Sequence, residues 1–191
     1  MVQRRQEEVE VKIRVGNPAA AECRLRRAGF SLLSRETERD LLLDTPESNL
    51  RAGACLLRLR RHGRNWLLTF KGPPANDPRY KAREEIQTAV EDGQRLQLIL
   101  ERLGFRGVFA YEKRRRTFGR RGEPGVVALD HTPIGHYLEL EGPRAWIDRT
   151  AERLGFGPGD YLTKSYGQLY LEYCRERGVK PGHMVFSKTP K

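Results

Sequence analysis

The chain has no apolar run near the roughly 20 residues that a bilayer-spanning helix needs, and its opening MVQRRQEEVE lacks an apolar signal core. Neither membrane insertion nor signal-directed export is therefore expected. Cysteine is scarce. Cys23, Cys55 and Cys174 are an odd set without CxxC spacing, so neither a disulfide framework nor a zinc ribbon is indicated, and a reduced, cytoplasmic setting is expected. His62, His131, His136 and His183 form no HxH or HExxH and read as surface or packing residues. A GxSxG elbow and a GxxxxGK loop are absent, and Gly155, Gly157 and Gly159 follow a helix, not a strand, which argues against a nucleotide loop. The common catalytic signatures are missing.

What remains is 191 residues, enough for one domain with a real core. Lys and Arg number 36 against 25 Asp and Glu, a net charge of +11 that points to an anionic partner. Alternation marks the strands. In Glu7 to Val15 the residues Val9, Val11, Ile13 and Val15 alternate with Glu8, Glu10, Lys12 and Arg14. Asn17-Pro18 then reads as an N-cap and first helical residue, with the helix stopping at Gly29.

Ser31 to Asp44 predicts one strand, Leu56–Arg61 and Asn65–Lys71 a hairpin, and Pro73 to Tyr80 a loop. Strands are expected at Ala82–Val90 and Val108–Phe118, with a hairpin at Val126–Asp130 and His136–Gly142. Helices are expected from Asp92 to Leu103, from Pro143 to Leu154, and after Ser165. Three helices end in Gly-Phe. No linker divides the chain, so residues 1–191 read as one domain with a core over about 7–177 and a basic tail over 178–191.

The informative feature is what alternates with the apolar residues. Arg58 and Arg60 share a face opposite Leu57 and Leu59, and Thr69 and Lys71 lie opposite Leu68 and Phe70. Arg83 and Glu85, Lys113 and Arg115, and Glu139 and Glu141 behave alike. A half-exposed antiparallel sheet facing water would explain any one such strand. Ordered carboxylate pairs on some strands and cation pairs on others fit better if about eight strands close into a barrel, with charges lining the lumen. Arginines and lysines suit phosphate oxygens, and glutamate pairs suit Mg²⁺ or Mn²⁺. The ligand expected is a metal-chelated polyphosphate.

These residues resemble the CYTH superfamily, the triphosphate tunnel metalloenzymes, which include class IV adenylyl cyclases, thiamine triphosphatases and inorganic triphosphatases. The resemblance is carried by Glu8, Glu10 and Lys12 as ExExK, Arg58 and Arg60 as RLR, Lys71 in FKGP, and Arg83 with Glu85. It continues through Lys113 and Arg115 as KxR, Asp130 in LDHT, Glu139 and Glu141 as ExE, and Lys164 before Ser165-Tyr166. It implies an α+β fold, an eight-stranded antiparallel closed barrel with helices packed outside. Glu8, Glu10, Glu139 and Glu141 would hold Mg²⁺ or Mn²⁺, with Glu85 and Asp130 as helpers. Lys12, Arg58, Arg60, Lys71, Arg83, Lys113, Arg115 and Lys164 would cradle ATP, thiamine triphosphate or tripolyphosphate.

Gln87 departs from the glutamate many relatives place there, and Leu42 from an aromatic; both loosen any particular substrate preference. Triphosphate hydrolysis, cyclisation of ATP to cyclic AMP and pyrophosphate, and binding without turnover all use such a lumen, and the ExE pair favours hydrolysis. Nucleic-acid binding is suggested by Lys113-Arg114-Arg115-Arg116, but a strand splits that run between two faces. Tyr166, Leu169, Tyr170 and Tyr173 read as core packing of the last helix. The tail, with Met184-Val185-Phe186, fits either docking on the barrel or a dimer contact, so monomer and homodimer both stand.

Overall fold

The computed structural model describes residues 6–187. In chain order the elements are β1 (Gln6–Val15), α1 (Pro18–Arg27), β2 (Ser31–Asp44), α2 (Asn49–Ala52), β3 (Leu56–His62), β4 (Asn65–Pro74) and β5 (Lys81–Val90). They continue with α3 (Gly93–Arg102), β6 (Arg106–Gly119), β7 (Val126–Thr132), β8 (Gly135–Glu141), α4 (Arg144–Arg153) and α5 (Tyr166–Glu176). The strands pair antiparallel and close in the order β1-β5-β4-β3-β2-β6-β7-β8, giving the expected α+β barrel.

Alternation sets the two faces. The outward residues of β1, Val9, Val11, Ile13 and Val15, bury with Leu138 and Leu140 of β8 beneath α1 and α4, which contribute Leu25, Trp146, Ile147 and Leu154. On the far side Leu96 and Leu100 of α3 cover Leu41, Leu43, Leu57 and Leu59. Placing the greasy side outward under helices leaves the charged side to the interior, the reverse of a water-facing sheet.

The helix ends are locally encoded. At Gly29 the chain turns through φ 84°, and the Phe30 N–H reaches back to the Leu25 carbonyl at 3.0 Å. The same bond recurs from Phe105 to Leu100 and from Phe156 to Ala151, which is the physical content of the Gly-Phe echo. Three details differ from expectation. α2 is an additional single turn, β5 begins one residue earlier, at Lys81, and β4 runs on to Pro74, shortening the intervening loop.

The barrel is not evenly sealed. β1 pairs with β5 only over Gln6–Glu10; beyond that, the Lys12 backbone exchanges hydrogen bonds with Leu162 at 2.8 and 3.0 Å. This segment leads α5 across the end of the barrel, where it packs on the outside as a cap. Tyr166 and Leu169 pack there on the inward-facing Tyr111 and Tyr137, with Leu42 and Phe109 beside them. The tail docks on the same end: Met184 is buried, its N–H bonded to the Ala110 carbonyl at 3.0 Å. Among the described residues no helix is long and apolar enough to cross a membrane.

Candidate active site

The lumen is a cavity of about 240 Å³ lined by eight cations, Lys12, Arg58, Arg60, Lys71, Lys81, Arg83, Lys113 and Arg115. Five carboxylates line it too: Glu8, Glu10, Glu85, Glu139 and Glu141. At its outer end it adjoins a wider vestibule of about 800 Å³ that shares Glu8, Glu85, Gln87 and Glu141. The plugged end is floored by Tyr111 and Tyr166.

Charges buried in this way must be paired, since isolated ions in an apolar interior cost several kcal/mol each. The inner half meets that demand through three carboxylates behind the basic wall. Asp40 takes Arg60 in a fork at 2.7 and 3.0 Å, and the Glu38 carboxylate forms an ion pair with the same guanidinium at 2.9 Å. Asp130, with no solvent exposure, accepts from Lys113 at 3.1 Å, from Arg115 at 2.8 and 2.7 Å, and from the Tyr166 hydroxyl at 2.8 Å. Glu139 pairs with Arg115 and lies 3.3 Å from Lys12. Burial would raise the Glu139 pKa, but Arg115, Lys113 and Lys12 outweigh it and hold the carboxyl well below the usual range. Arg83 is fixed differently, donating to the backbone carbonyls of Gly72 at 2.8 Å and Ala54 at 2.7 Å.

The outer half is crowded with acid. Register sets Glu10 directly opposite Glu141, an arrangement that repels. Burial and then repulsion from Glu10 push Glu8 up to about 7, against the pull of Lys71. Glu141 is raised by burial and then by Glu10 and Glu139. Glu10 itself is held low: burial opposes ionisation, but Lys12 at 2.8 Å and Lys81 at 2.6 Å prevail. Lys71 bridges Glu8 and Glu85, 2.7 Å from the latter. Hard oxygen donors that repel one another at a water-accessible mouth fit a divalent cation in chemical type. Among the described residues no three carboxylate, imidazole or thiol groups converge as a preformed cage.

Thirteen of the fourteen residues singled out from sequence thus line the lumen or, in the case of Asp130, stand directly behind it. Lys164 does not join them: its ammonium pairs with Glu172 at 2.6 Å and is half exposed. Four participants were not foreseen. Glu38 and Asp40 lie on β2, where both faces are charged; Lys81 was assigned to a loop boundary; and Tyr166 was read as helix packing alone. The arginines of β3 were the available signal for Glu38 and Asp40, since buried guanidiniums require acidic neighbours.

Ordered charges facing inward around a closed antiparallel barrel agree with the CYTH domain model, which matches residues 6–166. The chain belongs to the CYTH domain family. A Methanocaldococcus jannaschii protein provisionally named an adenylate cyclase is 28% identical over 134 residues, covering 70% of this CYTH chain and 75% of that protein. A Vibrio parahaemolyticus structure, likewise provisionally named an adenylate cyclase, superposes with a TM-score of 0.75 at 24% identity, covering 86% of this chain and 97% of that one. The Hippeastrum protein HpAC1, provisionally named an adenylyl cyclase and described as revealing a dominant triphosphatase activity, gives 0.64 at 17% identity, covering 91% of this chain and 97% of its own. At these identities the two structures speak for the fold.

Proposed function

We propose that this CYTH domain is a cytoplasmic, divalent-metal-dependent triphosphate phosphohydrolase acting on inorganic, thiamine or nucleoside triphosphate. The observation that carries the reading is the lumen: a blind, narrow pocket whose basic wall is already ordered by Asp40, Asp130 and Glu38. Such preorganised cations stabilise the charge on phosphate oxygens without rearranging at the moment of reaction. The activity described for HpAC1 supports hydrolysis in this fold.

In this reading Lys12, Arg58, Arg60, Lys113 and Arg115 bind the inner phosphates, and Lys71, Lys81 and Arg83 the outer one. Glu8, Glu10 and Glu141, with Glu139 deeper, would hold Mg²⁺ or Mn²⁺, which when bound neutralises phosphate charge as a Lewis acid. For tripolyphosphate, whose two ends are alike, Glu85 orients water toward the phosphorus at the mouth and takes its proton. The new P–O bond forms as the bridging P–O bond breaks, and the basic wall receives the departing diphosphate.

One observation favours a second reading, class IV adenylyl cyclase. The vestibule is lined in part by Pro124, Val126 and Pro143, an apolar rim where a purine could rest while its triphosphate enters the lumen. The cyclase name of the M. jannaschii relative points the same way. Product analysis on tripolyphosphate, thiamine triphosphate and ATP, each with Mg²⁺ and Mn²⁺, separates them. Phosphate release supports hydrolysis; cyclic AMP and pyrophosphate with little phosphate support the cyclase. Binding of tripolyphosphate with no turnover under any condition would overturn both in favour of a non-catalytic binding module.

A further inference from the structure

The run from Lys113 to Arg116 is divided by β6. Lys113 and Arg115 enter the lumen, while Arg114 and Arg116 border a second cavity of about 370 Å³ on the outer wall, which Arg115 also touches. Neighbouring strands reinforce this outer half. Register places Thr37 of β2, Arg114 of β6, His131 of β7 and His136 of β8 side by side in one row, with Arg35 beside Arg116 in the next. Groups of like sign directly opposite one another repel, as Arg35 and Arg116 do here, so this patch is unfavourable for the fold taken alone.

Nearby carboxylates relieve it only in part, Glu22 feeling the charge of both Arg116 and Arg35. Glu22 takes Arg116, and Glu36 at the cavity edge lies 3.3 Å from His62. Among the described residues Arg35 and Arg114 have no carboxylate at ion-pair distance; Arg114 lies over the Phe186 ring at 4.7 Å. The imidazoles of His131 and His136 are 4.6 Å apart, with the edge of Phe186 against His131. Burial first, and then His136, Arg114 and Arg116, lower the His131 pKa.

We infer that this outer groove is a second anion site, separate from the lumen, that takes an extended phosphoanion of the pyrophosphate class. Two unpaired guanidiniums offer forked donors matched to phosphate oxygens. The Thr37 hydroxyl and the imidazole N–H groups add neutral donors along the same line. Pyrophosphate is shorter than the row, which spans three strand spacings or about 14 Å, and would bridge the neighbouring Arg114 and His131 with one phosphoryl group toward Arg35. A single carboxylate would leave most of these donors unused.

The test is a titration of the full chain with inorganic pyrophosphate in excess chelator, following the imidazole resonances by NMR. His131 and His136 are expected to move together and saturate while His62 and His183 stay fixed. In an Arg35→Ala/Arg114→Ala variant the affinity read from His131 and His136 should fall at least about tenfold, the loss of one or more charge-assisted contacts. Both changes are on the exposed outer wall and remove repulsion, so a melting temperature no lower than wild type is expected, as is unchanged turnover in the lumen. The proposal is overturned if His131 and His136 do not move, or if they move equally in wild type and variant, which would report occupancy of the lumen through the wall. It is also overturned if a single-stranded oligonucleotide moves them and pyrophosphate does not.

Discussion

Asp130→Asn should be among the most damaging isosteric changes this barrel can suffer. Asp130 is fully buried and is shared by Lys113, Arg115 and the Tyr166 hydroxyl. The amide keeps the volume, removes the charge, and leaves two buried cations short of a partner. Breaking one side of a buried ion pair costs about 3–5 kcal/mol. Glu38, 3.2 Å from Lys113, and Glu139, beside Arg115, still offer partial compensation, so the expected loss is near the low end, about 3 kcal/mol. In a chain of this length that lowers the melting temperature by about 6–12 °C. Urea and thermal denaturation without ligand read it directly. Adding Arg115→Met to the same background removes one stranded charge, so the double variant should be more stable than the sum of the single losses by at least about 1.5 kcal/mol. A loss below about 1 kcal/mol, or strict additivity in the cycle, would refute the view that Asp130 anchors the basic wall.

Glu10→Ala should lower metal-dependent phosphate release at least about a hundredfold while sparing metal-free tripolyphosphate binding, measured by calorimetry. Tyr166→Phe removes a hydroxyl from a buried carboxylate and should cost about 1.5–3 kcal/mol in urea denaturation, with little change in the fold seen by circular dichroism. Gly93→Ala should destabilise despite alanine's helical preference, because its Cβ would come within 2.1 Å of the Trp66 ring; an overpacking loss of about 1–3 kcal/mol is expected in the same assay. Asp148 supplies the pH dependence. Burial opposes its ionisation, but hydrogen bonds from Tyr80 at 2.6 Å and Tyr161 at 3.0 Å lower its pKa below the ordinary 3.8. A depressed carboxyl contributes stability that is complete above its unfolded value and is lost as pH falls through the folded one. Melting temperatures of wild type and Asp148→Asn should therefore differ at pH 6, begin to approach one another as pH falls toward 3.8, and meet only below the lowered folded value.

How far the sequence could be read depended on whether one face of each strand was apolar. β1 and β8 alternate valine, isoleucine or leucine with charge, so parity told which side faced in, and Glu8, Glu10, Glu139 and Glu141 followed. β2 gives no such parity. Arg35 and Arg39 point out, Glu38 and Asp40 point in, and the Leu41-Leu42-Leu43 run is apolar on both faces. Only pairing with Arg58 and Arg60 across β3 resolves it, and that is a long-range fact. Lys81 was obscured because a proline-bearing loop hid the start of β5. Lys164 was transferred by resemblance alone, and the local geometry before the Ser165 cap turns it toward Glu172 instead.

The tyrosine plug under α5 has a consequence for traffic. A channel with one doorway admits a polymer only by its end, never by threading. On the proposed hydrolytic reading, product must back out along the route of entry, where it and fresh substrate compete for one passage.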